Sequence, residues 1–290
     1  MNKSFKKIRE SKTKYWILGE GTNVVILNDL EGLVIKNKLL GVTYNNNSVE
    51  SASGENWDDL VKDCLQTLSD LANFNRMKMD SKIIAITGSN GKTTTKELIN
   101  SVLSQKYNTI YTNGNLNNHI GVPLTLLRIK NKTQITVLEM GASGLNEINH
   151  LCNISNPDFG YISNFGNAHL EGFGSIEGVI KGKSELYKHI FENEGTIFYN
   201  RDDKTQNMKL KAYKNKFSFG FNKGNINYTI NKYKKVIEID CQSENYKSLL
   251  YGIHNCQNIM AAITIGCLLY TSDAADDSLR VDLGGGRIIK

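Results

Sequence analysis

With 290 residues, 40% apolar and 22% charged, the chain has the means to bury a core in one large or two modest domains. Its formal charge of +6 comes from scattered rather than clustered lysines, which reads as a solvated surface, and no nucleic-acid-binding motif accompanies it. The five cysteines, Cys64, Cys152, Cys241, Cys256 and Cys267, form no Cys-x-x-Cys pair and read as reduced thiols. No apolar segment follows the basic N-terminus and no apolar run is long enough for a bilayer, so a cytoplasmic chain without membrane or nucleic-acid partners is expected.

From Met1 to about Lys62 the pattern gives short strands, Tyr15–Leu18, Val24–Leu27 and Leu33–Lys36, with Gly and Asn between them. A helix opens after Asn56, a capping residue type, and runs from Trp57 toward Met77. Beyond it, strand and helix patterns alternate. Lys82–Thr87 is an apolar run, followed by a Gly-containing turn and a helix from about Lys92 to Gln105. Ile135–Glu139, Asp158–Ser163 and Gly195–Tyr199 are further runs of the kind buried on both faces of a parallel sheet. From Lys216 to Leu250 short strands with Asn, Gly and Lys turns predict an antiparallel extension, and a helix covers about Asn255–Cys267. The expected fold class is α/β, a mostly parallel phosphate-loop sheet flanked by helices.

The strongest chemical signal is Thr87-Gly88-Ser89-Asn90-Gly91-Lys92-Thr93-Thr94, between an apolar strand and a helix. Glycines there let backbone N–H groups face a polyphosphate, and the helix N-terminus adds its positive end. Lys92 would reach the β- and γ-phosphates of a nucleotide and Thr93 would ligate Mg²⁺. The general phosphate-loop spacing places a glycine where Ile86 stands, so the loop is a variant in which Gly88 supplies the earlier glycine. Glu139 ends its strand at the carboxyl edge, where α/β sheets bind ligands, and a carboxylate there can hold Mg²⁺. His169 follows the Asp158–Ser163 strand at the same edge.

The string TGSNGKTTTKEL resembles the Mur ligase family, whose loop reads TGxNGKT. In the same order come Asn115-Leu116-Asn117-Asn118-His119-Ile120-Gly121-Val122-Pro123, Glu139-Met140-Gly141-Ala142, Asn164-Phe165-Gly166-Asn167-Ala168-His169-Leu170-Glu171-Gly172-Phe173-Gly174, Asn200-Arg201-Asp202-Asp203 and His254-Asn255-Cys256-Gln257-Asn258. Together they resemble the branch that adds D-alanyl-D-alanine to UDP-MurNAc-tripeptide, and Leu71-Ala72-Asn73-Phe74-Asn75-Arg76 resembles the helix leading into its central domain. The resemblance implies an ATP- and Mg²⁺-dependent acid–amino-acid ligase of peptidoglycan synthesis, monomeric, working through an acyl phosphate. It implies nucleotide contacts from Gly88, Ser89, Asn90, Gly91, Lys92, Thr93 and Thr94, with Asn258 and His254 near the adenine. It implies Thr93, Glu139, His169 and a carbamylated lysine as metal ligands. That lysine is assigned to Lys183, with Lys181 a competitor, and Lys92, Lys183 and His169 carry the catalytic role.

Before residue 62, Gly19-Glu20-Gly21-Thr22-Asn23, the stretch Leu30–Gly41 and Gly54-Glu55-Asn56-Trp57 resemble a different family, the flavin-dependent UDP-N-acetylenolpyruvoylglucosamine reductases. There the Gly19, Gly21, Thr22, Asn23 loop would face the FAD pyrophosphate, yet about 50 residues cannot rebuild that fold and FAD binding is not expected. Leu268–Lys290 differs in composition, with no Asn and two Arg against four in all that precedes it. The expected organisation is an incomplete α+β fragment over residues 1–62, a Mur ligase central domain over 63–267 and a foreign or disordered tail over 268–290, a truncated chimera. Rival functions are a non-catalytic Mg·ATP-binding module, a folylpolyglutamate synthase-like ligase and a phosphate-loop switch.

Overall fold

The computed structural model describes residues 14–18, 33–36, 38, 40–45, 48–52, 54–221 and 223–272, and the chain divides into two units, Met1–Gln66 and Thr67–Lys290. In the first, β1 (Tyr15–Leu18) and β2 (Leu33–Lys36) pair in parallel, Tyr15 opposite Leu33 and Leu18 opposite Lys36. β3 (Val42–Asn45) and β4 (Ser48–Ser51) form an antiparallel hairpin, Val42 opposite Ser51. Two-strand sheets have little core, and Trp16, Val34, Tyr44 and Val49 are exposed accordingly. The expected strand Val24–Leu27 and the Gly19–Asn23 loop lie outside the described residues.

The second unit is built on a sheet of nine strands. In chain order they are β5 (Lys82–Thr87), β6 (Thr109–Tyr111), β7 (Ile135–Glu139), β8 (Phe159–Ile162), β9 (Thr196–Asn200), β10 (Lys216–Gly220), β11 (Ile226–Lys232), β12 (Ile237–Cys241) and β13 (Glu244–Ser248). In space the order is β13-β12-β11-β10-β9-β8-β5-β7-β6. The chain leaves β5 to one side for β6 and β7 and to the other for β8 and β9. Such a reversal opens a crevice at the carboxyl end of the central strand.

β5 shows why the sheet is buried on both faces. Ile84 and Ile86 face one cluster with Leu98, Ile99 and Val102 of α2 (Lys92–Leu103) and with Cys256, Ile259 and Met260 of α9 (Ile253–Ser272). Ile83 and Ala85 face the other, with α3 (Gly121–Leu126), α4 (Glu147–Ser155), α6 (Ile176–Lys183) and α7 (Glu185–Glu192). α5 (Leu170–Phe173) is a single turn and α8 (Lys204–Lys209) less than two. Gly266 lets α9 close on α2, since a Cβ there would lie 2.6 Å from Val102. Among the described residues no helix is long and apolar enough to cross a membrane.

α1 (Trp57–Lys78) begins as its sequence dictates, with Asn56 Oδ1 accepting the Asp58 amide. Its other end docks by hydrogen bonds. Asn73 Nδ2 donates to the carbonyls of Asn153 and Ile154, and Arg76 to those of Ser155 and Asn156 and to Asp158. These carbonyls close α4, which otherwise leaves them unpaired.

Two expectations need correction. The extension after β9 is not antiparallel throughout: β10 and β11 run parallel to β9, and only the pairs β11–β12 and β12–β13 are antiparallel. β10 and β11 overlap only at Phe219–Ile226 and Gly220–Asn227, so a short bend suffices where fully overlapping parallel strands need a long crossover. The last helix does not stop at Cys267. It continues to Ser272: Leu269 is buried, Tyr107 Oη donates to its carbonyl at 2.7 Å, and Tyr270 stacks on Tyr107. Leu268–Ser272 thus belong to the helix, and the rest of the expected tail lies outside the described residues.

Candidate functional site

β5 delivers the chain into the crevice at Thr87, and two glycines let it turn. Gly88 has φ +142° and no room for a side chain, a Cβ falling 2.0 Å from Ser163 Oγ. Gly91, at φ +78°, sits against Asn258, its Cβ position 2.8 Å from Oδ1. The end of β8 grips the loop between them. Ser163 Oγ and Asn164 Nδ2 both donate to the Asn90 carbonyl, Asn164 accepts the Ser89 and Asn90 amides, and Ser89 Oγ bonds Gly166. The loop's backbone is therefore fixed from outside. The first α-helical bond of α2 runs from Thr95 N to Gly91 O, and no side chain caps the amides before it. Those first-turn amides with the helix dipole are a seat for an anion.

Lys92 opens α2, and its ammonium donates to Gly88 O at 2.9 Å and Ser89 O at 3.3 Å. Burial lowers its pKa, against an opposing pull from the Glu139 charge. Glu139, 1% exposed, ends β7. Its Oε1 accepts from Asn117 Nδ2 at 2.8 Å, and its amide donates to Thr112 Oγ1. Oε2 is buried without a hydrogen bond, and the nearest cation is Lys96 Nζ at 3.7 Å. A buried carboxylate oxygen with uncommitted lone pairs suits a hard divalent cation. Among the described residues no three His, Cys, Asp or Glu side chains gather as a ready-made metal site.

Lys183, at the end of α6, is buried, its Nζ 5.4 Å above the Phe173 ring. Burial, and then repulsion from Lys92, brings its pKa down to about 8. Lys181 is exposed. The glycines of the surrounding string make this packing possible: a Cβ at Gly182 would strike the Phe173 ring at 2.4 Å, and one at Gly172 would meet the Ser143 carbonyl at 2.0 Å. His169 caps α5 in the left-handed region, φ +55°, on the surface.

Asn258 is buried, accepts from Thr95 Oγ1 and donates to Asn255 Oδ1, so it ties α9 to α2 beside Gly91. His254 is exposed and its ring lies against Gly252. The Asn200–Asp203 string works within the fold, Asp203 capping α8 through the Thr205 and Gln206 amides. The structure thus brings together the loop, Lys92, Glu139, Lys183 and Asn258. His169, Thr93 and His254 are exposed, and the His169 ring makes no hydrogen bond among the described residues. Sequence reading missed Lys96 and Ser163. Lys96 lies four residues after Lys92, on the same helix face, which was the available signal.

Residues 86–266 match the family model described as Mur ligase middle domain. A relative from Bacillus subtilis, named UDP-N-acetylmuramoyl-tripeptide--D-alanyl-D-alanine ligase, is 34% identical over 76% of this chain and 48% of its own length. One of the same name from Haemophilus influenzae is 38% identical over 71% of this chain and 47% of its own. A solved structure titled MurF ligase from Thermotoga maritima in complex with ADP aligns at TM-score 0.66 and 26% identity, covering 96% of this chain and 64% of that one. The chain spans about half the length of the curated relatives it matches.

Proposed function

Since the chain belongs to the Mur ligase family, we propose that the carboxyl edge of β5 binds Mg·ATP and serves a ligase that joins D-alanyl-D-alanine to UDP-MurNAc-tripeptide. In such a reaction the peptide carboxylate attacks the γ-phosphorus, the bond to ADP breaks, and an acyl phosphate forms. The D-alanyl-D-alanine amine then attacks the acyl carbon and phosphate leaves. The part of the protein is positioning and charge stabilisation, so no side-chain nucleophile is needed.

Gly88, Ser89, Asn90 and Gly91 shape the anion seat, and the Lys92, Thr93 and Thr94 amides line it. Lys92 is placed for the β- and γ-phosphates. Thr93 and Glu139 are the proposed Mg²⁺ ligands, and Mg²⁺, when bound, offsets phosphate charge. Lys183, once carbamylated, and His169 are the proposed ligands of a second cation. Asn258 and His254 lie on the proposed adenine side. One observation carries the reading: uncapped amides of α2, Lys92 and an uncommitted oxygen of buried Glu139 meet at one strand edge.

The test is ADP release from Mg·ATP with UDP-MurNAc-tripeptide and D-alanyl-D-alanine, for this chain and for Lys92→Ala. Substrate-dependent release lost in Lys92→Ala is the expected result for a ligase. Nucleotide binding that needs Lys92 without substrate-dependent release would instead make the chain a binding module. No binding, or binding indifferent to Lys92, would sink the proposal.

A further inference from the structure

One turn into α2, Lys96 has no exposed surface, yet it is a lysine. Its ammonium donates to Gly114 O at 3.0 Å, lies 3.2 Å from Glu97 Oε1 and 3.7 Å from Glu139 Oε2, and sits 5.6 Å from the Tyr111 ring centroid. Burying an ammonium is costly unless something on the spot repays the lost hydration. Glu97 is half-exposed and could be answered by solvent, whereas Glu139 is as deeply buried as Lys96.

The geometry around Glu139 separates two jobs. Asn117 takes Oε1 by a hydrogen bond. Lys96 faces Oε2 at a distance too long for a hydrogen bond but short enough for a strong charge interaction. The Gly114 bond, meanwhile, ties α2 to the segment that supplies both Thr112 and Asn117 to Glu139.

We propose that Lys96 is a positioning residue: it holds Glu139 by charge and the Thr112–Asn117 segment by its Gly114 bond, leaving Oε2 free to take a divalent cation. The inference rests on the nucleotide-site reading above. Lys96 touches neither nucleotide nor cation in this role; it acts through the carboxylate.

The experiment is a double-mutant cycle on the full chain with Lys96→Met, Glu139→Gln and both together. The first readout is the dissociation constant of ADP, by calorimetry, in Mg²⁺ and in EDTA. Lys96→Met is expected to cut the advantage conferred by Mg²⁺ roughly 10–100-fold, the usual effect of losing an outer-shell partner, with the EDTA value unchanged. In the Glu139→Gln background it should add nothing. An intact Mg²⁺ advantage in Lys96→Met, or a loss that persists undiminished beside Glu139→Gln, overturns the proposal.

The second readout is the melting temperature without nucleotide or metal. Each single variant strands a buried charge or its partner, so the double variant should melt above the sum of the two single shifts. Additive shifts would show that the two residues do not act as a unit and would overturn the proposal. If the unaltered chain binds no ADP, the nucleotide-site reading fails by itself, and the melting cycle still decides the pairing of Lys96 with Glu139.

Discussion

Gly91 holds a left-handed turn against Asn258, and any Cβ there meets Oδ1 at 2.8 Å. Gly91→Ala combines that clash with a conformational cost of about 1–2 kcal/mol for an L-residue, and it moves the first amides of α2. ADP affinity measured by calorimetry should fall at least about tenfold, the equivalent of 1.4 kcal/mol, while the far-UV spectrum stays unchanged; unaltered affinity would mean that the loop is not the anion seat. Lys183 and Lys181 are distinguished by burial and by the neighbouring Lys92 charge. Carbamylation joins the neutral amine to CO₂ and releases a proton, so the half-neutral lysine is the better acceptor. With ¹³CO₂, a carbamate resonance should appear, strengthen as pH rises through about 8, vanish in Lys183→Ala and survive in Lys181→Ala. The reverse pattern would reassign the residue. The sign on stability follows from the same shift. Folding holds the Lys183 pKa at about 8 against the usual 10.5, so the unfolded chain binds more protons between those values. The group's penalty is full below about 8 and is relieved as pH climbs toward 10.5.

Arg76 shows an element being fixed by one side chain at its end. From the last turn of α1 it donates to the Ser155 and Asn156 carbonyls, to Met79 O and to Asp158, which in turn accepts the Ile83 amide at the root of β5. Arg76→Ala takes the donor from several helix-end carbonyls and one of two cations from Asp158, which keeps Lys82 at 3.0 Å and the Ile83 amide. It should cost roughly 1–3 kcal/mol in urea denaturation; a loss under about 0.5 kcal/mol, the range of ordinary surface substitutions, would show that α1 is held mainly by Ala72 and its apolar neighbours. This docking string was visible in the sequence as a resemblance only, because Asn and Arg reveal nothing of their partners until the chain is folded. β5, α2 and β7 were legible to within a residue or two, since apolar runs bounded by glycine leave one reading. The direction of β10 and β11 was not, because the residues of a short strand do not say which way it runs beside its neighbour. The burial of Lys96 was not legible for a related reason: its spacing from Lys92 gave the helix face, but lysine on a helix ordinarily faces water, and here Lys96 is fully buried with its ammonium on Gly114 O and near Glu139. His169 was legible as part of a string, and the fold places it on the surface.

At the scale of the molecule, the two units differ in how much they bury. The second has apolar clusters on both faces of its sheet, joined by helices that leave little of β5, β7 or α9 in water. The described strands of the first form two-stranded sheets, and β4 is exposed along its whole length. A flavin needs a deep, preformed pocket to shield its ring, and a unit of this size buries too small a share of its surface to build one unaided. The resemblance of Gly19, Gly21, Thr22 and Asn23 to a pyrophosphate-binding loop is therefore expected to have no flavin behind it. The chain purified from cells and then incubated with FAD should show no flavin absorbance after gel filtration and no NADPH oxidation. Retained flavin at one equivalent would mean that the first unit is a working cofactor domain, and the activity of the chain would then have to be sought in both units rather than at the β5 edge alone.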